Sequence, residues 1–137
     1  MSAAGKPTFQ IGDDEMEIGV GIHGEPGRKR VKMTDADSIA AELIGAILKE
    51  LALKPGQQVI LLVNGFGGTP SMELYVMVCA AMKILTAAGL QVVRHLTGSY
   101  VTSLEMAGCS ITVTAVDADW LALWDAPLHT AALRWGA

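Results

Sequence analysis

The chain has 137 residues, half of them hydrophobic and only 18% charged, which suits one domain with a sizeable core. A net charge of −4 with no extended basic stripe argues against a nucleic-acid partner. The first residues are small and polar, unlike a signal peptide, and the most apolar stretch, Leu74 to Leu85, is interrupted by Lys83 and too short to span a bilayer.

In chain order, the first expected element is a strand over Glu15 to Ile22. Met16, Ile18, Val20 and Ile22 share one face, with acidic residues and glycines on the other, the period of a half-buried strand. It runs into the heptapeptide Gly21-Ile22-His23-Gly24-Glu25-Pro26-Gly27. The cations Arg28, Lys29, Arg30 and Lys32 follow and read as a solvated loop. Thr34 or Asp35 is placed to cap a helix in which Ile39, Leu43, Ile47 and Leu51 recur every fourth residue, and Lys54-Pro55-Gly56 ends it. The continuous apolar run Val59 to Val63 is expected as a central strand covered on both faces.

Thr69 and Pro70 suit an N-cap and first helical position, and the helix they open should run to about Ala88, with Gly89 as its left-handed cap. Glu73 and Lys83 are its only charges, so it should be the most buried helix, with Met72, Met77 and Met82 as core filler. Leu90 to Leu96 and Ser110 to Val116 read as strands, and Asp117 and Asp119 as the start of a short helix holding Trp120 and Trp124. This order predicts an α/β fold: a two-layer domain with a mixed β-sheet and helices on one face. Cys79 and Cys109 lie in apolar runs and read as reduced core thiols of a cytoplasmic protein. The high hydrophobicity also predicts an apolar surface that faces another domain or a second copy of the chain.

Few residues carry chemistry. His23 stands among glycines that leave its ring approachable, and a neutral imidazole serves as base, nucleophile or metal ligand; a plain turn histidine is the alternative. Glu25 can fix the tautomer of a nearby imidazole, or be an exposed turn acid. Pro26 and Gly27 shape the turn. The segment Asn64 to Pro70 follows a strand and opens a helix, where backbone amides favour phosphate, but it lacks a P-loop lysine, so helix-start packing is preferred. His95 is an ordinary strand residue and His129 a tail residue. Neither has a partner at metal-ligand spacing, so no metal is expected. The hydroxyl cluster Ser99, Tyr100, Thr102 and Ser103 is read as capping the turn at residues 103–107.

Several of these stretches, in order, resemble the K subunit or K domain of dihydroxyacetone kinase. They are Ala4-Gly5-Lys6-Pro7, Asp13-Asp14-Glu15-Met16-Glu17-Ile18-Gly19-Val20 with the heptapeptide after it, Leu62-Val63-Asn64-Gly65-Phe66-Gly67-Gly68-Thr69-Pro70 and Glu73-Leu74-Tyr75. Thr102-Ser103-Leu104-Glu105-Met106-Ala107-Gly108 and Leu121-Ala122-Leu123-Trp124-Asp125-Ala126-Pro127 complete the set. The resemblance spans nearly the whole chain. It implies that residues 1–137 are the second, C-terminal domain of a K subunit, cut at the domain junction or made by a split gene, with the first domain absent and Trp135-Gly136 like the natural end.

For the site, the resemblance implies that His23 bonds covalently to the carbonyl carbon of dihydroxyacetone as a hemiaminal, with Gly24 and Glu25 as further candidates for substrate binding. Glycerol, having no carbonyl, could not be held this way. The implied reaction is phosphoryl transfer to a hydroxyl of dihydroxyacetone (glycerone). The nucleotide, ATP or ADP, belongs to a partner L subunit or domain and not to this chain, and the donor is either ATP or a phosphotransferase system. Because the first domain supplies further binding and acid–base groups in the family, the chain alone is expected to be inactive. A non-enzymatic dihydroxyacetone sensor and a vestigial interaction domain are the alternatives.

Overall fold

A computed structural model of the chain describes residues 10–21, 25–104 and 106–136. The chain divides into two compact units, Met1–Asp35 and Ala36–Ala137.

The first unit is built on two antiparallel strands, β1 (Glu15–Ile18) and β2 (Lys29–Lys32). Their register pairs Glu15 with Lys32, Met16 with Val31, Glu17 with Arg30 and Ile18 with Lys29. Opposed residues share a face, so opposite charges line one side and Met16, Ile18 and Val31, with Lys29, the other. β1 is shorter than the strand expected over Glu15 to Ile22. It ends where Gly19 takes φ +79, a left-handed conformation that breaks the pleat. Of the cations read as a solvated loop, Lys29, Arg30 and Lys32 instead lie in β2: Arg30 pairs with Glu17 and Lys32 with Asp14, so cross-strand charge pairing makes a strand of a segment with only one apolar residue.

The second unit holds helix α1 (Ala36–Leu51), strand β3 (Gln58–Gly65), helix α2 (Ser71–Ala87), strands β4 (Gln91–Gly98) and β5 (Cys109–Ala115), and helix α3 (Ala118–Asp125). The short pair β6 (Leu128–His129) and β7 (Arg134–Trp135) closes it. β3 is central, as its apolar run predicts, with β4 parallel on one side and β5 antiparallel on the other. The sheet is therefore mixed. Val59, Leu61 and Val63 of β3 join Val113 of β5 on the face covered by α1 and α2, where Ala40, Ile44, Leu74 and Leu85 complete the core. The α/β class, the mixed sheet and the two long helices on one face agree with the sequence reading.

α2 is the most buried helix, as expected, with Leu74, Met77, Val78, Ala80, Ala81 and Leu85 turned inward and Gly89 at φ +77 beyond its end. Some details differ. Met77 is buried and Met82 partly so, but Met72 is 77% exposed, because it lies with Tyr75 and Val76 on the outer side of the first two turns. Cys79 is exposed on that helix and is no core thiol, while Cys109 is largely covered and burial pushes its thiol pKa up. In α1 the residues turned inward are Ala40 and Ile44, supported by Ala36, Ile39, Ile47 and Leu48, and Leu51 is exposed. Ile39 and Ile47 of the every-fourth-residue series thus pack against the core, beside the fully buried Ala40 and Ile44. Pro70 occupies the N-cap position of α2 without a side-chain cap, because the Thr69 hydroxyl is bonded elsewhere.

Candidate functional site

The heptapeptide lies between β1 and β2. Ile22, His23 and Gly24 lie outside the described residues, so the assignments to His23 and Gly24 are not addressed by the geometry. The flanking arms are. Arg28 N donates to Ile18 O at 2.7 Å, and Gly21 N donates to Glu25 O at 3.2 Å, which holds the two arms together on either side of the motif. Three glycines in these arms each lie beneath a long side chain from the opposite arm. A Cβ at Gly19 would press on Arg28 Cγ and Cδ, one at Gly21 would collide with the Glu25 carboxylate, and one at Gly27 with Glu17 Cγ. The Glu25 carboxylate thus folds back over Gly21 from an otherwise exposed residue. Glu17 lies across from Arg30, whose Nε donates to Glu17 Oε2 at 3.0 Å, and the Glu17 side chain is only 12% exposed. The sequence reading did not single out Glu17 or Arg30. The signal was present in the mirrored spacing of Glu15 and Glu17 against Arg30 and Lys32.

The segment Asn64 to Pro70 has a different role. Phe66 N donates to Gly108 O, Gly68 N to Met106 O, and Ser103 N to Phe66 O. Thr69 Oγ1 accepts from Gly108 N at 2.7 Å and donates to Gly108 O at 3.1 Å. Asn64 Oδ1 accepts from Tyr100 N and Val101 N, and its Nδ2 donates to Val101 O. Gly67, at φ +117, leaves room for the Leu104 carbonyl, which a Cβ would strike. These bonds clasp residues 64–69 to residues 100–108. The amides of Phe66 and Gly68, which a phosphate loop would aim at a ligand, are spent within the protein. The hydroxyl cluster sits in the clasped segment, where Met106 N donates to Ser103 O.

His95 is an exposed residue of β4, and His129 lies in β6, its Nε2 2.7 Å from Arg134 Nη2. Among the described residues no group of three or more His, Cys, Asp or Glu could hold a metal ion, and no helix is long and apolar enough to cross a membrane. An open apolar hollow of about 330 Å³ lies between Ile60, Thr114 and Val116 and the α3 residues Trp120, Leu123 and Trp124. α3 buries no residue of its own. Arg94 binds Asp125 through two bonds, Nε to Oδ1 at 2.9 Å and Nη2 to Oδ2 at 2.7 Å, tying the helix end to β4. The hydrogen bonds and charge of Arg94 hold the Asp125 carboxyl below the usual carboxylate range.

The Dak1 domain family matches residues 1–132 of the chain. The PEP-dependent dihydroxyacetone kinase, dihydroxyacetone-binding subunit DhaK, of Escherichia coli (strain K12) is 42% identical over 98% of this chain and 44% of its own length. The PTS-dependent dihydroxyacetone kinase 1, dihydroxyacetone-binding subunit DhaK, of Listeria innocua is 45% identical over 93% of this chain and 39% of its own. Among solved structures, the dihydroxyacetone kinase operon co-activator Dha-DhaQ superposes with a TM-score of 0.83 at 38% identity, over 89% of this chain and 38% of that one. The chain therefore spans about two-fifths of the length of these relatives. The family expected from the motifs is the one found: the chain belongs to the Dak1 domain family.

Proposed function

We propose that this chain is the part of a dihydroxyacetone kinase that anchors the substrate, through His23. One observation carries the reading: the heptapeptide around His23 is intact in a chain 42% identical over 98% of its length to a dihydroxyacetone-binding subunit. In the step proposed, the unprotonated imidazole nitrogen of His23 donates its lone pair to the ketone carbon. The carbonyl π pair moves to oxygen, which takes a proton, and the other ring nitrogen gives one up. Nothing leaves, and the product is a hemiaminal.

Anchoring at the central carbon leaves both hydroxyls free and fixes one for phosphoryl transfer, a proximity effect. Glu25, held near the motif by the Gly21 to Glu25 bond, is the carboxylate nearest in sequence to set the imidazole tautomer. The phosphoryl group comes from an L-type partner carrying ATP or ADP. The remaining binding and acid–base groups come from a further domain of the K type.

The likeness to an operon co-activator favours a second reading, a dihydroxyacetone sensor without catalysis. A phosphorylation assay separates the two. With an L-type partner, a donor and a K-type first domain added, the kinase reading expects dihydroxyacetone phosphate, abolished by His23→Ala. Substrate binding without product under the same conditions supports the sensor.

A further inference from the structure

We propose that Asn64-Gly65 is a latent deamidation site, held shut by the clasp, whose conversion is a one-way mark on a chain that has opened there. Asn64 is the only asparagine in the chain, and a glycine follows it. Glycine has no Cβ to shield its nitrogen, which makes this pairing the most reactive one for asparagine. The deprotonated amide nitrogen of Gly65 attacks Cγ of Asn64. The bond from Cγ to Nδ2 breaks, and the side-chain nitrogen leaves as ammonia with the proton that Gly65 gave up. Water then opens the succinimide ring. Cleavage at Cγ gives aspartate in an ordinary backbone, and cleavage at the main-chain carbonyl gives isoaspartate, whose backbone is one methylene longer.

The folded chain blocks the first step. Attack needs the Asn64 side chain to swing back onto Gly65 N. Asn64 instead lies in β3 and is 4% exposed. Its Oδ1 is held by Tyr100 N and Val101 N, both at 2.9 Å, and its Nδ2 is held on Val101 O at 2.8 Å. Gly65 pairs with Cys109 of β5, and a Cβ there would press on Leu74 Cδ1 and Ser99 Oγ, so the space around the peptide bond is already filled. The clasp must open before the ring can close.

Conversion also removes what the clasp is built on. Aspartate at position 64 could still accept from Tyr100 N and Val101 N. It has no hydrogen to give Val101 O, and it brings a charge to a buried place. Isoaspartate in addition displaces Gly65 against Cys109 by its extra methylene. Ammonia is lost to solvent, so a converted chain does not return to the wild-type clasp.

The test incubates the whole chain at one neutral pH and one temperature, in native buffer and in urea. Peptide mass spectrometry follows the replacement of the Asn64 amide by an acid. Conversion in native buffer should be slower than in urea by about a hundredfold or more, because it tracks the population of the open form. Gly67→Ala, which loosens the clasp at the Leu104 carbonyl, should raise the native-buffer rate by about tenfold or more and leave the urea rate unchanged. Asn64→Asp, the ordinary product, should unfold at a lower urea concentration than wild type. Equal rates in native buffer and urea, or no conversion in urea, would overturn the proposal. So would a Gly67→Ala rate equal to that of wild type in native buffer, or an Asn64→Asp chain as stable as wild type.

Discussion

Asn64 satisfies both polar groups of the Val101 backbone: its Oδ1 accepts from Val101 N at 2.9 Å and its Nδ2 donates to Val101 O at 2.8 Å. Oδ1 also accepts from Tyr100 N, so one side chain, 4% exposed, stands in for the backbone pairing the 100–101 segment would otherwise lack. Asn64→Leu keeps the volume and removes every one of these bonds. It should destabilise the fold by about 2 to 4 kcal/mol, because three backbone groups lose their partners. Urea unfolding followed by circular dichroism measures this, and a loss near zero would show that water replaces the side chain.

Two glycines should respond oppositely to alanine. Gly67 has φ +117 and no room for a Cβ beside the Leu104 carbonyl, so Gly67→Ala should cost about 2 kcal/mol or more and loosen the clasp. Gly45 lies within α1 with open space where a Cβ would go, so Gly45→Ala should stabilise by about 0.5 to 1 kcal/mol. Thermal midpoints of the two variants, read side by side, check both signs.

Acid should release α3. The Asp125 carboxyl titrates below its usual range in the folded chain because Arg94 binds its charged form. The contribution of the pair is therefore fully present above the ordinary carboxylate value, about 3.9, and is lost as pH falls through the lower folded value. The pair ties the end of α3 to β4 beside the partly buried Trp124, which packs edge-on against Trp135. Tryptophan fluorescence from Trp120 and Trp124 should show an acid transition that Asp125→Asn removes, and salt should weaken the same attachment because the pair is exposed. An acid transition unchanged in Asp125→Asn would contradict this.

Much of the second unit was legible in the sequence. The apolar run of β3, the Gly89 stop and the Asp117 cap, which accepts from Asp119 N and Trp120 N, are local signals that tertiary packing did not override. What escaped was what depends on pairing at a distance. β2 is read as a strand only if Glu17 is known to face Arg30. Asn64 is known as a staple only when Val101, 37 residues away, is brought beside it. Met72 and Cys79 look like core residues in one dimension, and only the rotation of α2 turns them outward. For the candidate site, the sequence supplied His23 and Glu25, and the structure added the Glu17, Gly27 and Arg30 contacts that hold the return arm.

ATP should not bind the Asn64 to Pro70 segment, because the amides of Phe66 and Gly68 already donate to Gly108 and Met106. Titration calorimetry of the chain with ATP should give no saturable heat. A low-micromolar dissociation constant, about −8 kcal/mol, that Gly67→Ala abolished would show the clasp to be a nucleotide site after all.

The proposed anchor at His23 is tested most directly by ¹³C NMR of dihydroxyacetone labelled at the carbonyl carbon, mixed with the chain and with a K-type first domain supplied in trans. A tetrahedral-carbon signal that diffuses with the protein, distinct from free hydrate, is expected for wild type and absent for His23→Ala, whose fold should be intact by circular dichroism. The same protein-bound signal in His23→Ala, or none in wild type with the first domain present, would contradict the assignment.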